Sequence, residues 1–401
     1  MPDDAIDLLD LAHFEAGGPP HELFARLRRE APVHRHAEQD GPGFWAVTRY
    51  DEVVEVSRDS ATYSSFAGGT MVADATPEQL FVVRQMMLNM DPPQHTKLRA
   101  LINKGFTPRM VAQLHERIGE LAGAIVDRVA QRGECDFVID VAGELPSYVI
   151  AELMGIPLDD GRELYRLTER MHTADRSPEG LADGAQAIFE MMSYANGIRA
   201  EKRERPANDI ASTLLAAEVD GEKLTDLEFD MFFLLLINAG GDTTRNLVAG
   251  GMLELLRRPD ALAALRAEPR LLPGAIEEML RFCSPVVHFR RTATRDAVLG
   301  GQPIAAGDKV VIFYASANRD ETVFPDADTF DIGRSPNEHV AFGGGGVHFC
   351  LGANLARVEI RALFTEVLSR LHDMELAGPV ERLRSNFING PRHMPVRFRA
   401  H

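Results

Sequence analysis

The run from Thr225 to Arg258, halted by Pro259, constrains the fold of this chain more than any other stretch. Thr225 and Glu228 stand at the spacing of a capping box, in which each side chain accepts a hydrogen bond from the other's backbone N–H, and Pro259 ends the helix. A helix of that length spans on the order of 50 Å at ~1.5 Å per residue, enough to cross a whole domain, and we expect it to be the central one. Inside it lies A-G-G-D-T-T, Ala239 to Thr244, where each glycine costs about 1 kcal/mol against alanine. Gly240 and Gly241 therefore need a reason beyond propensity. Two are open: a neighbouring helix crosses there and needs small residues, or the helix passes close over a flat bound group and leaves room for a small ligand.

Around that rod the hydrophobic period predicts helices over Pro20–Arg29, Tyr50–Ser57, Glu144–Met154, Asp159–Met171 and Leu181–Glu204. Thr107 and Pro108 open another long one that Gly133 closes. Strands are expected at Phe44–Thr48, at Val298–Leu299 and Ile304 around a Gly300-Gly301 turn, and at Val310–Tyr314. Phe387–Pro391 reads as a hairpin with an Asn389-Gly390 turn. Residues 58–90 show no clear period; Met71, Phe81, Met86, Met87 and Met90 make the stretch apolar, and it suits either a pocket wall or, for the methionines, core filling. No linker or charge block divides the chain, so one domain over residues 1–401 is expected.

The formal net charge of −17 argues against general binding to nucleic acid or to anionic membranes. Cys135, Cys283 and Cys350 are far apart and odd in number, which fits neither a disulfide framework nor a zinc spacing and points to a reducing interior. With an acidic N-terminus and no run of about 18 apolar residues, a cytoplasmic chain without a membrane span is expected.

Cys350 has unusual company. It lies in F-G-G-G-G-V-H-F-C-L-G, Phe342 to Gly352, two residues after His348 and ahead of a segment with apolar residues at helical spacing, Leu355, Val358, Ala362, Val367 and Leu371. An isolated cysteine is ordinarily a small buried hydrophobe. Here glycines allow close approach of a bulky group and a helix N-terminus favours negative charge, so the site suits a thiolate ligating a metal whose other positions are filled elsewhere, as in haem iron. Three further patterns stand out: His95 and Arg99 one turn apart after Pro92-Pro93, Glu278 and Arg281 three apart, and Arg334 in F-D-I-G-R.

These motifs, in this order and across nearly the whole chain, resemble the cytochromes P450. The resemblance implies a mainly α fold with a smaller β region, a triangular prism holding haem b (iron protoporphyrin IX) between the central helix and the Cys350 helix. By the same resemblance, Cys350 is the axial iron ligand, with His348 in its loop. His95, Arg99 and Arg291 meet the haem carboxylates, and Ala239 borders an oxygen-binding groove. Asp242 and Thr243 fill the acid and alcohol positions there, which relay protons. Glu278, Arg281 and Arg334 form a structural triad; Val287 and Phe289 are candidate substrate contacts. Cys135 and Cys283 stand alone and no flavin or iron–sulfur motif is present, so electrons would come from a ferredoxin and its reductase, docking on a basic patch including Lys97, Lys104, Arg357 and Arg361.

One departure matters: the loop holds one glycine more than the family pattern. With A-G-G-D-T-T-R-N and S-N-F-I-N-G it resembles actinobacterial members that oxidise steroid side chains or methyl-branched lipids. The expected activity is hydroxylation of an unactivated C–H bond of such a hydrophobic molecule with dioxygen. Tailoring of a macrolide or terpene is the alternative; a peroxide-driven enzyme and a non-catalytic haem sensor or carrier are the competitors of other kinds.

Overall fold

The computed structural model describes residues 7–38, 41–105, 108–173, 177–219 and 221–400. They gather into two compact units, each assembled from segments distant in sequence: Met1–Thr96, Glu277–Leu351 and Arg384–Asn389 in one, Lys97–Ile276, Gly352–Leu383 and Gly390–His401 in the other.

The first unit is built on a five-stranded sheet in the spatial order Val33–His36, Phe44–Val47, Lys309–Phe313, His288–Ala293, Tyr63–Ser64. Lys309–Phe313 pairs parallel with Phe44–Val47 and antiparallel with His288–Ala293. Successive residues of a strand point to opposite faces, and here both faces are covered. Val310 and Ile312 join Val53 and Val56 of helix Tyr50–Arg58, while Val311 and Phe313 join Phe24 and Leu27 of helix His21–Glu30. An unbroken apolar run, V-V-I-F, is what a doubly buried strand requires.

The second unit is mainly helical. Helix Asp226–Leu256 packs against Glu144–Met154, Leu158–Thr173 and Pro178–Glu204, and helix Pro108–Ala130 against Ala353–Arg370. The long helix is buried around most of its circumference, from Phe229, Phe232 and Phe233 to Leu247, Val248 and Leu255, the pattern of a core helix. Its start is the expected one: Glu228 N donates to Thr225 Oγ1 (3.2 Å), and Thr225 N to Glu228 Oε2 (2.8 Å). A three-stranded sheet, Leu371–Leu376, Pro395–Ala400 and Glu134–Asp136, completes the unit. No described helix is long and apolar enough to cross a membrane.

Two local expectations change. Residues 58–90 contain a helix, Pro77–Val83, opened by a Thr76–Gln79 capping box; none of its residues is buried, and its apolar residues run consecutively from Leu80 to Val83, which hides a helical period. Met87 and Met90 in that stretch are buried core. Phe387–Pro391 is not a tight hairpin. Gly390 lacks the positive φ that an Asn-Gly turn demands; instead Ile388 bridges Val286, and Asn389 N donates to Pro285 O (2.8 Å). Pro391–His393 pairs with Glu381–Arg382. The helix Pro108–Ala130 is present, but Thr107, its expected cap, lies outside the described residues.

Candidate functional site

The thiol loop owes its shape to its glycines, which do two different jobs. Gly343, Gly345 and Gly346 adopt φ of 97°, 95° and 73°, the left-handed region that side chains resist. Gly344 and Gly346 also lie against helix Tyr50–Arg58, where a Cβ would stand 2.7 Å from Ser57 Oγ and 2.4 Å from Ser57 O respectively. Arg58 Nε donates to Gly344 O (3.3 Å), and Cys350 N donates back to Phe342 O (2.9 Å), closing the loop. At its end Cys350 is exposed, just before helix Ala353–Arg370. The contrast with Cys135 is chemical: burial pushes that thiol up to about 12.

Donors of positive or hydrogen-bonding character accompany the loop within the first unit. His348 Nε2 lies 3.2 Å from Ser65 Oγ, and its ring is in contact with that of buried His95, centroids 4.4 Å apart. Ser65 N donates to Asp91 (2.9 Å), so the segment ahead of His95 is tied to the one beside His348. Arg291 is buried on strand His288–Ala293, its Nη1 donating to Arg290 O (2.8 Å), and burial pulls its guanidinium below the ordinary value. Arg99, which falls in the second unit, is half-buried on helix Gln94–Gly105. An exposed thiol, imidazoles and guanidiniums are the donor set that an iron macrocycle with ionised carboxylates needs, so the residues fit haem.

Glu278, Arg281 and Arg334 meet in a sealed network. Arg281 grips Glu278 through two parallel bonds, Nε–Oε2 (2.8 Å) and Nη2–Oε1 (2.7 Å), with both side chains at 0% exposure. Arg334 Nε reaches Glu278 Oε2 (3.2 Å), and Asp331 N and Asn337 Nδ2 complete its coordination (2.8 and 3.1 Å). Arg281 Nη1 also donates to Asn318 O, and Asn318 Oδ1 accepts from Val340 N (2.7 Å), two residues before Phe342. That chain of bonds runs from the triad to the base of the glycine loop.

On helix Asp226–Leu256, Ala239 is exposed and accepts from Thr243 Oγ1 (2.8 Å) one turn later. Asp242 is buried, its Oδ1 3.5 Å from Arg245 Nη2. The two glycines do not share the exposed position of Ala239. A Cβ on Gly240 would meet Ile150 Cδ1 at 2.4 Å and one on Gly241 would meet Tyr165 Cδ2 at 3.4 Å, so both sit at crossings with neighbouring helices. Of the two explanations left open by the sequence, helix packing accounts for Gly240, while the contact at Gly241 is an ordinary one; Ala239 is exposed and Thr243 half-buried.

Val287 is a correction: its side chain is fully buried among Phe24, Phe313 and their neighbours and touches no open space. Val287 lies just before strand His288–Ala293 and packs with Val311 and Phe313, while Val286 and Phe289 are half-buried. Phe289 packs edge-on against Phe387 and Tyr314 (centroids 5.4 and 6.2 Å). Lys97 and Arg361 are exposed and Arg357 is half-buried; the side chain of Lys104 lies outside the described residues. Sequence reasoning missed Arg245, Asn337 and Ser65; only Arg245, three residues after Asp242, carried a readable spacing.

The architecture matches that of a haem-binding oxidoreductase: the structure aligns with a Mycobacterium marinum cytochrome P450 solved in complex with pseudoionone at a TM-score of 0.92, with 40% identity and 99% of each chain covered. The chain belongs to the cytochrome P450 family, whose model, Cytochrome P450, matches residues 179–380. Its relatives include a steroid C26-monooxygenase of Mycolicibacterium smegmatis, 41% identical over 94% of this chain and 90% of that one. A methyl-branched lipid omega-hydroxylase of Mycobacterium bovis is 39% identical over 93% of this chain and 90% of its own. The protein is a P450 monooxygenase with haem as its cofactor.

Proposed function

We propose that this monooxygenase hydroxylates an unactivated C–H bond of a steroid or a methyl-branched lipid, with dioxygen as oxidant and electrons delivered by a ferredoxin and its reductase in the cytoplasm. The observation that carries the chemistry is the exposed Cys350 thiol at the end of a glycine loop fixed by backbone conformation and close packing. The two relatives named above, each aligned over more than nine-tenths of the chain, support the substrate class.

Cys350 Sγ would ligate the haem iron, with His348 beside it, and His95, Arg99 and Arg291 would neutralise the haem carboxylates. When bound, haem supplies dioxygen activation, which electron donation from a thiolate favours. The protein's own contribution is position and protons. Ala239 would border the oxygen groove. Thr243, whose hydroxyl proton is given to Ala239 O, would present its oxygen there as an acceptor that orders water, and Asp242 would supply protons from the buried side of the helix. A peroxide-driven enzyme has no use for that pair, nor has a haem sensor. The Glu278–Arg281–Arg334 network would hold the glycine loop's base and take no part in the chemistry. Phe289 with Val286 would contact substrate, and Lys97, Lys104, Arg357 and Arg361 would contribute to the ferredoxin surface.

A spectral titration of the ferric holoenzyme with sterol ketones, methyl-branched chains and macrolides tests the substrate class. A saturable low-to-high-spin shift with the sterol ketones or branched chains is expected. A shift with a macrolide or terpene alone would refute the lipid reading and move the protein to tailoring of secondary metabolites.

A further inference from the structure

Behind Asp242 the second unit contains a charged cluster that the mechanism has not used. Arg245, on the same helix, is 1% exposed and lies over the ring of Tyr165 at 4.8 Å. Its guanidinium faces two carboxyls: Nη2 is 3.5 Å from Asp242 Oδ1, and Nη1 is 3.7 Å from Glu169 Oε1 on helix Leu158–Thr173. At 3.5 and 3.7 Å these are ion-pair separations, longer than the usual direct hydrogen bond and too short to admit a water between the paired atoms. Neither Nε nor Nη1 of Arg245 makes a hydrogen bond among the described residues, so the deeply buried cation meets these acids through charge more than through directed hydrogen bonds. Burial of the two acids is unequal. Asp242 keeps 3% of its side-chain surface and Glu169 keeps 24%, which makes Glu169 the member that reaches water.

We propose that Glu169 takes up protons from solvent and passes them to Asp242, and that Arg245 is the positioning residue that holds the two carboxyls on either side of one guanidinium. The proposal rests on the reading of Asp242 and Thr243 as the proton-delivering pair and extends that path to the surface. A solvent proton bonds to a Glu169 carboxylate oxygen. That O–H bond then breaks as the proton crosses ordered water to an Asp242 oxygen, and Glu169 returns to its anion. No electrons move, and the net result is one proton carried inward.

The surroundings of Glu169 suit this role. Burial, and then the charge of Asp242, raise its carboxyl above the ordinary range, while Arg392 and His393 on strand Pro391–His393 act in the opposite direction. His393 is itself paired with Asp136 (2.7 Å), and Asp136 also faces Arg245. Arg245 is lowered by burial only to about 10 and stays charged at neutral pH, so it orients the acids and carries no proton between them. Glu169 donates only when protonated, so wild-type turnover should fall as pH rises through its pKa.

The test compares Glu169→Gln, Glu169→Asp and Asp242→Asn holoenzymes, each checked for folding by circular dichroism and for intact thiolate ligation by the carbon monoxide difference spectrum. Glu169→Gln is expected to slow turnover roughly tenfold or more and to remove the decline with rising pH, with Glu169→Asp restoring most of both. A readout independent of turnover is an infrared pH titration. The carboxyl band lost in Glu169→Gln should titrate at lower pH in the Asp242→Asn background, because the Asp242 charge is one of the causes that raise it. If Asp242→Asn slows turnover while Glu169→Gln keeps the wild-type rate and pH profile, protons enter elsewhere and the proposal is overturned with the acid–alcohol reading intact. If neither variant changes turnover or product per electron, that underlying reading fails as well.

Discussion

Gly240→Ala separates the two explanations of the glycine pair in the long helix, and its size follows from the structure. Alanine in place of glycine in a helix interior stabilises by about 1 kcal/mol. Against this, the new Cβ would stand 2.4 Å from Ile150 Cδ1 and 2.9 Å from Ile150 Cγ1, and Ile150 is buried on helix Glu144–Met154 with little room to turn aside. Overpacking of this kind costs about 1–3 kcal/mol, so Gly240→Ala alone should range from neutral to about 2 kcal/mol destabilising. Ile150→Ala removes both offending atoms, Cδ1 and Cγ1, at a cost of about 2–5 kcal/mol. In that background Gly240→Ala should become stabilising by about 1 kcal/mol, which makes the two changes favourably coupled by about 1–3 kcal/mol. Urea unfolding of the four proteins, followed by circular dichroism at constant haem loading, measures the cycle. A coupling near zero, or a Gly240→Ala variant of normal stability that has lost haem, would falsify the packing argument and return Gly240 to the cofactor face.

Glu278→Gln should cost about 3–5 kcal/mol in the same assay, because it leaves the fully buried Arg281 cation without its bidentate partner. Gly346→Ala should impair haem retention as well as stability: its φ of 73° and a Cβ position 2.4 Å from the backbone oxygen of Ser57 leave no side-chain movement that relieves the clash. Glu359, on helix Ala353–Arg370, is held neutral by burial, which pushes its carboxyl up to about 8. A folded-state pKa raised above the unfolded one means the native state binds the proton more tightly, so this residue's stability contribution is complete below about pH 4.5 and is lost as pH rises to 8. Glu359→Gln should flatten the stability profile in that window, and an unchanged profile would show that Glu359 is solvated. Thr243→Ala should divert electrons to peroxide while substrate titrations are unaltered; equal product per electron in both forms would remove Thr243 from proton delivery.

Much of the fold was legible because the informative signals are local. The Thr225–Glu228 capping box, the period of the long helix and the V-V-I-F run each specify a structure from residues within one or two turns of one another. Helix Pro77–Val83 has no readable period because it is short and its apolar residues, Leu80 to Val83, run consecutively, and the Asn389-Gly390 pair suggests a turn although Gly390 has another reason to be glycine. A Cβ there would stand 2.2 Å from Asn246 Oδ1 on the long helix. That requirement comes from a partner some 144 positions away in sequence, and no local pattern encodes it. The same holds for the glycine run before Cys350, whose identity was readable as unusual but whose partner, helix Tyr50–Arg58, was not.

The site shows the same limit in its ion pairs. Glu278 with Arg281 and Asp242 with Arg245 have the same three-residue spacing on a helix, and a sequence cannot tell them apart. Their surroundings can. Arg281 is saturated, with two bonds to Glu278 and others to Asn318 O, Ala327 O and Thr329 O, all at 2.7–3.1 Å, so any proton or side-chain movement breaks several bonds at once. Arg245 lies 3.5 Å from Asp242 and 3.7 Å from Glu169, and its Nε and Nη1 make no hydrogen bond among the described residues. A saturated pair fixes backbone, and a loose one with an edge toward solvent can move protons. The division of labour therefore lies in how completely the third and fourth partners close around each guanidinium, and those partners come from helices and loops that only the folded chain brings together.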